Sequence, residues 1–117
     1  MSKELSMFFT LDTTISIYVP STMDVDKPCG NEEVVKTTLG KLSDWFGGAT
    51  AIECLGGWRD RDSGNVITEK VTRVFSATSS EVAKKLFSKV IELANEIKDT
   101  MKQQAVMVEY NGQYAFI

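Results

Sequence analysis

A long amphipathic segment is the feature that most constrains the fold of this chain. Between residues 80 and 101, apolar side chains recur every three or four positions and Lys and Glu occupy the opposite side. This spacing predicts one long helix, and its single apolar stripe must be buried against another layer. The stripe consists of Val82, Leu86, Val90, Leu93, Ile97 and Met101.

The rest of the chain supplies a second helix and the strands of a sheet. Residues 31–46 predict a helix that Asn31 caps and Gly47-Gly48 ends. Period-two and β-branched patterns predict strands over 15–19, 49–58, 66–76 and 105–110, with a hairpin turn at 111–112 leading into 113–117.

The order strand, helix, strand, strand, helix, strand predicts an α+β, ferredoxin-like sandwich (βαββαβ). Both helices then cover one face of an antiparallel sheet. We expect a single domain over 1–117, in which 13–117 is the ferredoxin-like core and 1–12 is an N-terminal extension or edge strand. Further strand segments are expected at the termini.

The composition excludes several kinds of chemistry. The 117 residues include no histidine, so sites that depend on imidazole are ruled out. Cys29 and Cys54 stand in no metal-ligand pattern, and we expect free thiols. We therefore assign no catalytic residues, no metal and no cofactor.

The charge and hydropathy of the sequence limit the kinds of partner that we expect. With 13 Lys and Arg against 16 Asp and Glu, the net charge is −3, which disfavours nonspecific nucleic-acid binding. The sequence shows neither a signal peptide nor an apolar run long enough to span a bilayer. We expect a cytoplasmic protein, in the host cytoplasm if it is viral, with no membrane partner.

The segment 56–70 concentrates the groups that can recognise a ligand. Trp58 offers a stacking face, Arg59 and Arg61 match phosphate or carboxylate geometry, and Glu69 accepts from hydroxyls or amines. Counting outward from the turn at 63–64 places Trp58 opposite Glu69. The alternative is that the charges decorate an exposed hairpin and the indole fills the end of the core.

Glu69 and Arg73 share strand parity with three apolar residues, Ile67, Val71 and Phe75. If that face is the core, the two charges pair with each other or meet a ligand. If a bulge swaps the parity, they lie outside. The sequence leaves both interpretations open.

Hydroxyl groups complete the candidate site. Thr50 can donate a hydroxyl, and Tyr18 supplies a phenol near the edge at which the first helix begins. We include both as ligand-binding candidates with Trp58, Arg59, Arg61, Glu69 and Arg73. The sheet face away from the helices, to which we assign Tyr18, Thr50, Thr68 and Val74, is too apolar for an ordinary solvated surface. We therefore expect a homodimer or a larger homo-oligomer.

The pattern Phe46-Gly47-Gly48-Ala49-Thr50, then Gly56 and Trp58, then Gly64 and Glu69, resembles a group of short uncharacterised proteins of bacteria, their phages and plasmids. It is also similar to a ferredoxin-like family of domains of unknown function. The resemblance implies the fold and draws attention to Trp58 and Glu69.

These observations favour a non-catalytic, oligomeric binding protein that sequesters a small, polar, nucleotide-like ligand, as a phage counter-defence protein would. The alternative is a protein-protein inhibitor or scaffold that acts through the free sheet face. A third hypothesis is a small enzyme that uses Glu69 or Asp60 as an acid or base.

Overall fold

The computed structural model describes residues 2–23, 27–28 and 30–117. Cys29 lies outside the described residues. A short 3₁₀ helix, Leu5–Met7, precedes the first strand. The strands and helices that follow are β1 (Thr13–Pro20), β2 (Thr22–Met23), β3 (Lys27–Pro28), α1 (Glu32–Phe46), β4 (Thr50–Arg59), β5 (Val66–Thr78), α2 (Ser80–Thr100), β6 (Met107–Tyr110) and β7 (Gln113–Phe116).

The main sheet of the described chain has five antiparallel strands in the order β4-β5-β1-β6-β7. β2 and β3 form a separate two-stranded ladder. The fold is thus α+β, and it is compatible with the predicted ferredoxin-like sandwich. The central strand, β1, lies between β5 and β6, and β7 extends the sheet at one edge.

The core lies between the sheet and the two helices. β1 alternates as predicted, so Ile15, Ile17 and Val19 face the helices and are completely buried. β5 and β6 add Val74 and Val108, and the helices contribute the other side of this layer. The helical members are Leu42, Ala83, Val90, Leu93, Ala94 and Ile97.

The helix ends show where local chemistry agrees with the sequence and where it does not. α1 stops at Gly47, whose φ of 89° is a conformation that glycine adopts without strain. Asn31 was expected to cap α1, but its side chain makes no cap hydrogen bond. Instead Asn31 Nδ2 donates to the Pro20 carbonyl (3.1 Å) and to Thr72 Oγ1 (3.3 Å). The amide therefore ties the start of the helix to two strands.

One expectation about the sheet faces needs correction. Val74 and Thr68 were assigned to the free sheet face, but Val74 is buried under the helices and Thr68 shares its strand parity. Tyr18 and Thr50 do lie on the face that the helices leave uncovered, which we call the open face. Of the two alternatives for residues 1–12, an extension or an edge strand, the 3₁₀ helix at residues 5–7 fits the extension.

Candidate functional site

A cleft of about 390 Å³ lies on the open face, where β1, β4, β5, β6 and β7 come together with the segment before β6. Its volume is in the range of small-molecule sites. The described side chains and backbone that line it are Tyr18, Pro20, Gly56, Gly57, Trp58, Glu69, Val71, Gln103, Ala105, Val106, Met107 and Phe116.

Gly56 leaves space beside β5 on the open face. Gly56 stands opposite Glu69 in the ladder, and a Cβ there would lie 3.7 Å from the Glu69 carbonyl oxygen. That distance is ordinary van der Waals contact, so the backbone itself does not require glycine at this position. The missing side chain instead leaves room above the strand, between Trp58 and Glu69.

The hairpin register corrects the pairing expected for Trp58. Trp58 stands opposite Ile67, and the loop is closed by the Asp60 amide donating to the Asn65 carbonyl (2.8 Å). The register is therefore displaced by two residues from the symmetric count. Because side chains alternate with a period of two, this displacement keeps Trp58 and Glu69 on the same face. The indole and the carboxylate line the same cleft.

Tyr18 brings a phenol into the cleft from the central strand. It lies directly opposite Arg73, and it is half-buried. Burial raises the pKa of the Tyr18 phenol, and the positive charge of Arg73 acts in the opposite direction. The phenol is therefore neutral at physiological pH and can both donate and accept a hydrogen bond.

Arg73 and Glu109 form an ion pair beside the cleft. Arg73 Nη2 lies 3.3 Å from Glu109 Oε1, and Arg73 Nε donates to Ser16 Oγ (3.2 Å). Ser16 Oγ and the Gly112 amide also donate to the Glu109 carboxylate, at 2.7 and 3.1 Å. Arg73 thus pairs with Glu109, and the i, i+4 pairing expected with Glu69 is wrong. The guanidinium also stacks over Phe75, 4.3 Å from its ring centroid.

The strand parity of β5 decides between the two interpretations of Glu69 and Arg73. Ile67, Glu69, Val71, Arg73 and Phe75 all face away from the helices, without a bulge in the ladder. The two charged residues are half-buried. Glu69 lines the cleft, whereas the Arg73 guanidinium binds Ser16 and Glu109.

The remaining candidates lie apart from the cleft. Arg59 Nη1 donates to the Gly64 carbonyl (2.7 Å) within the hairpin loop, and Arg61 is exposed in that loop. Asp60 accepts from Ser63 Oγ (2.7 Å) and from the Asp62 and Ser63 amides, and these hydrogen bonds lower its carboxyl pKa. Thr50 is exposed at the other end of β4.

Several cleft residues were missed in the sequence because they lie far along the chain from the hairpin. Met107 and Phe116 stand opposite each other on β6 and β7, and Gln103 precedes β6. The period-two pattern of β6 contains a usable signal. Met107 and Glu109 alternate with the buried Val108, which places both on the open face.

Two general findings concern the described part of the chain. No group of three or more Cys, Asp or Glu there is arranged to hold a metal ion. None of its helices combines the length and apolar character that crossing a membrane requires.

The fold is similar to that of solved proteins. No family model and no curated protein matches this sequence. A phage SAM lyase in complex with S-methyl-5'-thioadenosine is similar in structure, with a TM-score of 0.65 and 25% sequence identity over 90% of this chain and 88% of that chain. A phage SAM lyase in the apo state has a TM-score of 0.64 and 24% identity, over 92% and 89% of the two chains.

Proposed function

We propose that this chain binds S-adenosylmethionine in the open-face cleft and cleaves it to S-methyl-5'-thioadenosine. The observation that carries the proposal is the likeness to a phage SAM lyase over nine-tenths of the chain. The cleft independently suits a nucleoside, because it combines an indole, a carboxylate and a phenol with an apolar floor. The phage relatives also support the hypothesis of a phage counter-defence protein.

The adenine, the ribose and the sulfur of the ligand have counterparts in the cleft. The Trp58 indole offers a stacking face for adenine, and Glu69 accepts hydrogen bonds from the ribose hydroxyls. Val71, Met107 and Phe116 provide apolar contacts for the sulfur end of the nucleoside. The Glu69 carboxylate also gives the cleft a negative charge that favours a cationic sulfonium over the neutral thioether.

The proposed cleavage breaks the bond between sulfur and the terminal carbon of the aminobutyrate chain. The electron pair of that bond stays on sulfur, which becomes the neutral thioether. A lyase adds no water, so the carbon that loses sulfur must form its new bond within the aminobutyrate fragment itself. Either the substrate carboxylate attacks that carbon and forms a lactone, or Glu69 takes a proton from the adjacent carbon and an alkene forms. Only the second route requires a proton acceptor from the protein.

Cleavage is favoured over the non-catalytic sequestration expected from the sequence. The sequestration hypothesis was based on the lack of an imidazole base, but neither lactone formation nor alkene formation requires an imidazole. Sequestration remains the function if the ligand is recovered unchanged.

A binding experiment tests the ligand. We expect S-methyl-5'-thioadenosine and S-adenosylmethionine to raise the unfolding temperature, since a ligand at one hundred times its dissociation constant adds about 2.7 kcal/mol to the stability. Trp58→Ala should weaken the affinity about tenfold, because stacking on an aromatic side chain contributes about 1–3 kcal/mol. No stabilisation by either compound would exclude this ligand class.

A turnover experiment tests the activity. Mass spectrometry of S-adenosylmethionine incubated with the protein should detect the thioether and, in equal amount, either the lactone or the alkene. Glu69→Gln should lower turnover, and Glu53→Gln is the matched control because Glu53 lies on the same hairpin with the opposite strand parity. Binding without any product would exclude the lyase activity and leave sequestration.

A further inference from the structure

The segment before β1 presents an unusual concentration of exposed apolar side chains. Residues 2–11, which we call the N-terminal arm, include Met7, Phe8 and Phe9 with exposures of 75, 67 and 89%. Leu5 and Leu11 are 50 and 44% exposed. Two adjacent aromatic rings left in water are costly, because each forfeits the free energy that burial would supply.

The arm has local order of its own. The Leu5 amide donates to Ser2 Oγ (3.1 Å), and Ser6 Oγ donates to the Lys3 carbonyl (2.6 Å). Backbone hydrogen bonds from Ser6, Met7 and Phe8 to residues three or four positions earlier complete the turn. This turn fixes the backbone just before the two aromatic residues, which lowers the entropy lost when they dock on a partner surface.

A second apolar surface lies on the open face. We call it the apolar rim; its members are Ile52 (45% exposed), Trp58 (51%), Ile67 (38%), Tyr114 (56%) and Phe116 (73%). Its members lie on β4, β5 and β7, and the rim borders the cleft through Trp58 and Phe116. Exposed apolar surface of this extent is typical of an interaction site.

The two surfaces together are large enough for stable association. The exposed parts of the aromatic side chains in the arm and the rim amount to roughly 600–700 Å² per copy, if a whole aromatic side chain presents about 200 Å². The aliphatic members add to this area. A stable interface needs about 800 Å² from each partner.

Within one copy the arm leaves the rim uncovered, since Phe9 of the arm is 89% exposed and Phe116 of the rim is 73% exposed, which favours a second copy as the partner. The arm leaves the sheet at Thr13, which stands opposite Thr78, whereas the cleft lies at the other end of β1, where Pro20 stands opposite Val71. These ends are about 23 Å apart at the usual rise per strand residue. The extents of the molecule, 53 × 28 × 20 Å, show the elongated shape that results.

We propose that the N-terminal arm of one copy packs on the apolar rim of a second copy. The reciprocal contact closes the assembly, which buries both surfaces of every copy. The arm then covers the border of the neighbour's cleft. This is the contact through which the homo-oligomer expected from the sequence forms.

The first test measures association of single variants. Phe8→Ser/Phe9→Ser removes the arm aromatics, and Tyr114→Ser/Phe116→Ser removes part of the rim. All four residues are exposed, so both variants should keep the wild-type circular dichroism. In sedimentation experiments without nucleoside, each variant should dissociate at least tenfold more readily than the wild type. Leu55→Ser/Val66→Ser is the matched control, since these exposed residues have the opposite strand parity.

The second test mixes the two variants. In an assembly of one variant, every arm-rim contact contains a substituted surface. In a mixed assembly, the intact arm of the rim variant meets the intact rim of the arm variant. The mixture should therefore associate more tightly than either variant and more weakly than the wild type. A monomeric wild type, an arm variant that associates normally, an equal loss in the control, or a mixture no tighter than its components would each overturn the proposal. Because no ligand is present, these results are independent of the proposed lyase activity.

Discussion

The ion pair of Arg73 and Glu109 shows how a charged residue is accommodated on a sheet face with many apolar side chains. Glu109 is only 8% exposed, and its carboxylate accepts from Arg73, Ser16 and the Gly112 amide. Removing one partner of such a pair leaves the other charge without its main compensation. The pair is therefore expected to contribute more to stability than an exposed salt bridge does.

We predict that Arg73→Met lowers the free energy of unfolding by about 2 kcal/mol, because the buried carboxylate loses its cation while part of the site stays solvated. Arg73→Met combined with Glu109→Gln should cost less than the sum of the two single changes. Urea unfolding of the four proteins provides this double-mutant cycle. Lys41→Met, at the exposed pair with Glu96, is the control and should change stability by less than about 0.5 kcal/mol. Additive losses would contradict the coupling.

A substitution at Gly56 can change ligand binding in the cleft without changing the stability of the strand. We predict that Gly56→Val lowers the affinity for S-methyl-5'-thioadenosine by more than tenfold, because its methyl groups enter the space beside Glu69. Stability should not fall, since a β-branched residue suits a strand and the added Cβ meets nothing closer than 3.7 Å. Calorimetric titration and urea unfolding measure the two effects.

Gly57→Val is the matched control for this substitution. Gly57 has the opposite strand parity, and a Cβ there would make ordinary contacts at 3.5–3.9 Å with Val66, Ile67 and Thr68. Its affinity for the nucleoside should stay close to that of the wild type. An equal loss of affinity in both variants would mean that the backbone, rather than the space at Gly56, determines binding.

At the scale of the element, the β4–β5 hairpin shows what the sequence can and cannot predict. Both strands were predicted within a few residues, because β-branched side chains and glycines mark their extents. The register was displaced by two residues because the Asp60 carboxylate organises a six-residue loop by accepting from Asp62 and Ser63. A count from the turn at 63–64 does not contain that side-chain interaction.

The same hairpin explains why the site was only partly predictable. β5 carries apolar side chains on both faces, Ile67 and Val71 on one and Val66 and Val74 on the other. Periodicity therefore could not decide which face the helices cover, and the exposure of Glu69 stayed open. Trp58, Glu69 and Tyr18, all candidates from the sequence, line one cleft, whereas Gln103, Met107 and Phe116 required the tertiary arrangement.

A single side chain, that of Ser79, caps the start of the long helix α2. Ser79 Oγ accepts a hydrogen bond from the Val82 amide at 3.2 Å, which satisfies one of the unpaired donors of the first turn. We predict that Ser79→Ala lowers the free energy of unfolding by about 1 kcal/mol. Ser80→Ala, at the exposed first residue of α2, is the control in thermal unfolding. A smaller loss for Ser79→Ala than for Ser80→Ala would contradict this assignment of the cap.

At the scale of the whole molecule, the chain is more extended than its length requires. Its radius of gyration is 15.8 Å, against about 13 Å expected for a compact domain of this size. The apolar arm and rim remain exposed although the core between the sheet and the helices is well filled. A single copy therefore buries the apolar sides of its helices but leaves apolar side chains of the open face exposed. The proposed association would let that surface contribute to stability.

If association contributes to stability, the unfolding temperature must depend on the concentration of the protein. We predict that a tenfold increase in concentration raises the midpoint of the wild type by about 3 °C, because unfolding then includes dissociation of an assembly of this chain length. At concentrations at which it is dissociated, Phe8→Ser/Phe9→Ser should unfold at the same temperature despite a tenfold change in concentration, because no assembly is then lost on unfolding. Differential scanning calorimetry of both proteins measures the midpoints. A wild-type midpoint that does not move with concentration would place the stability of the fold entirely within one chain.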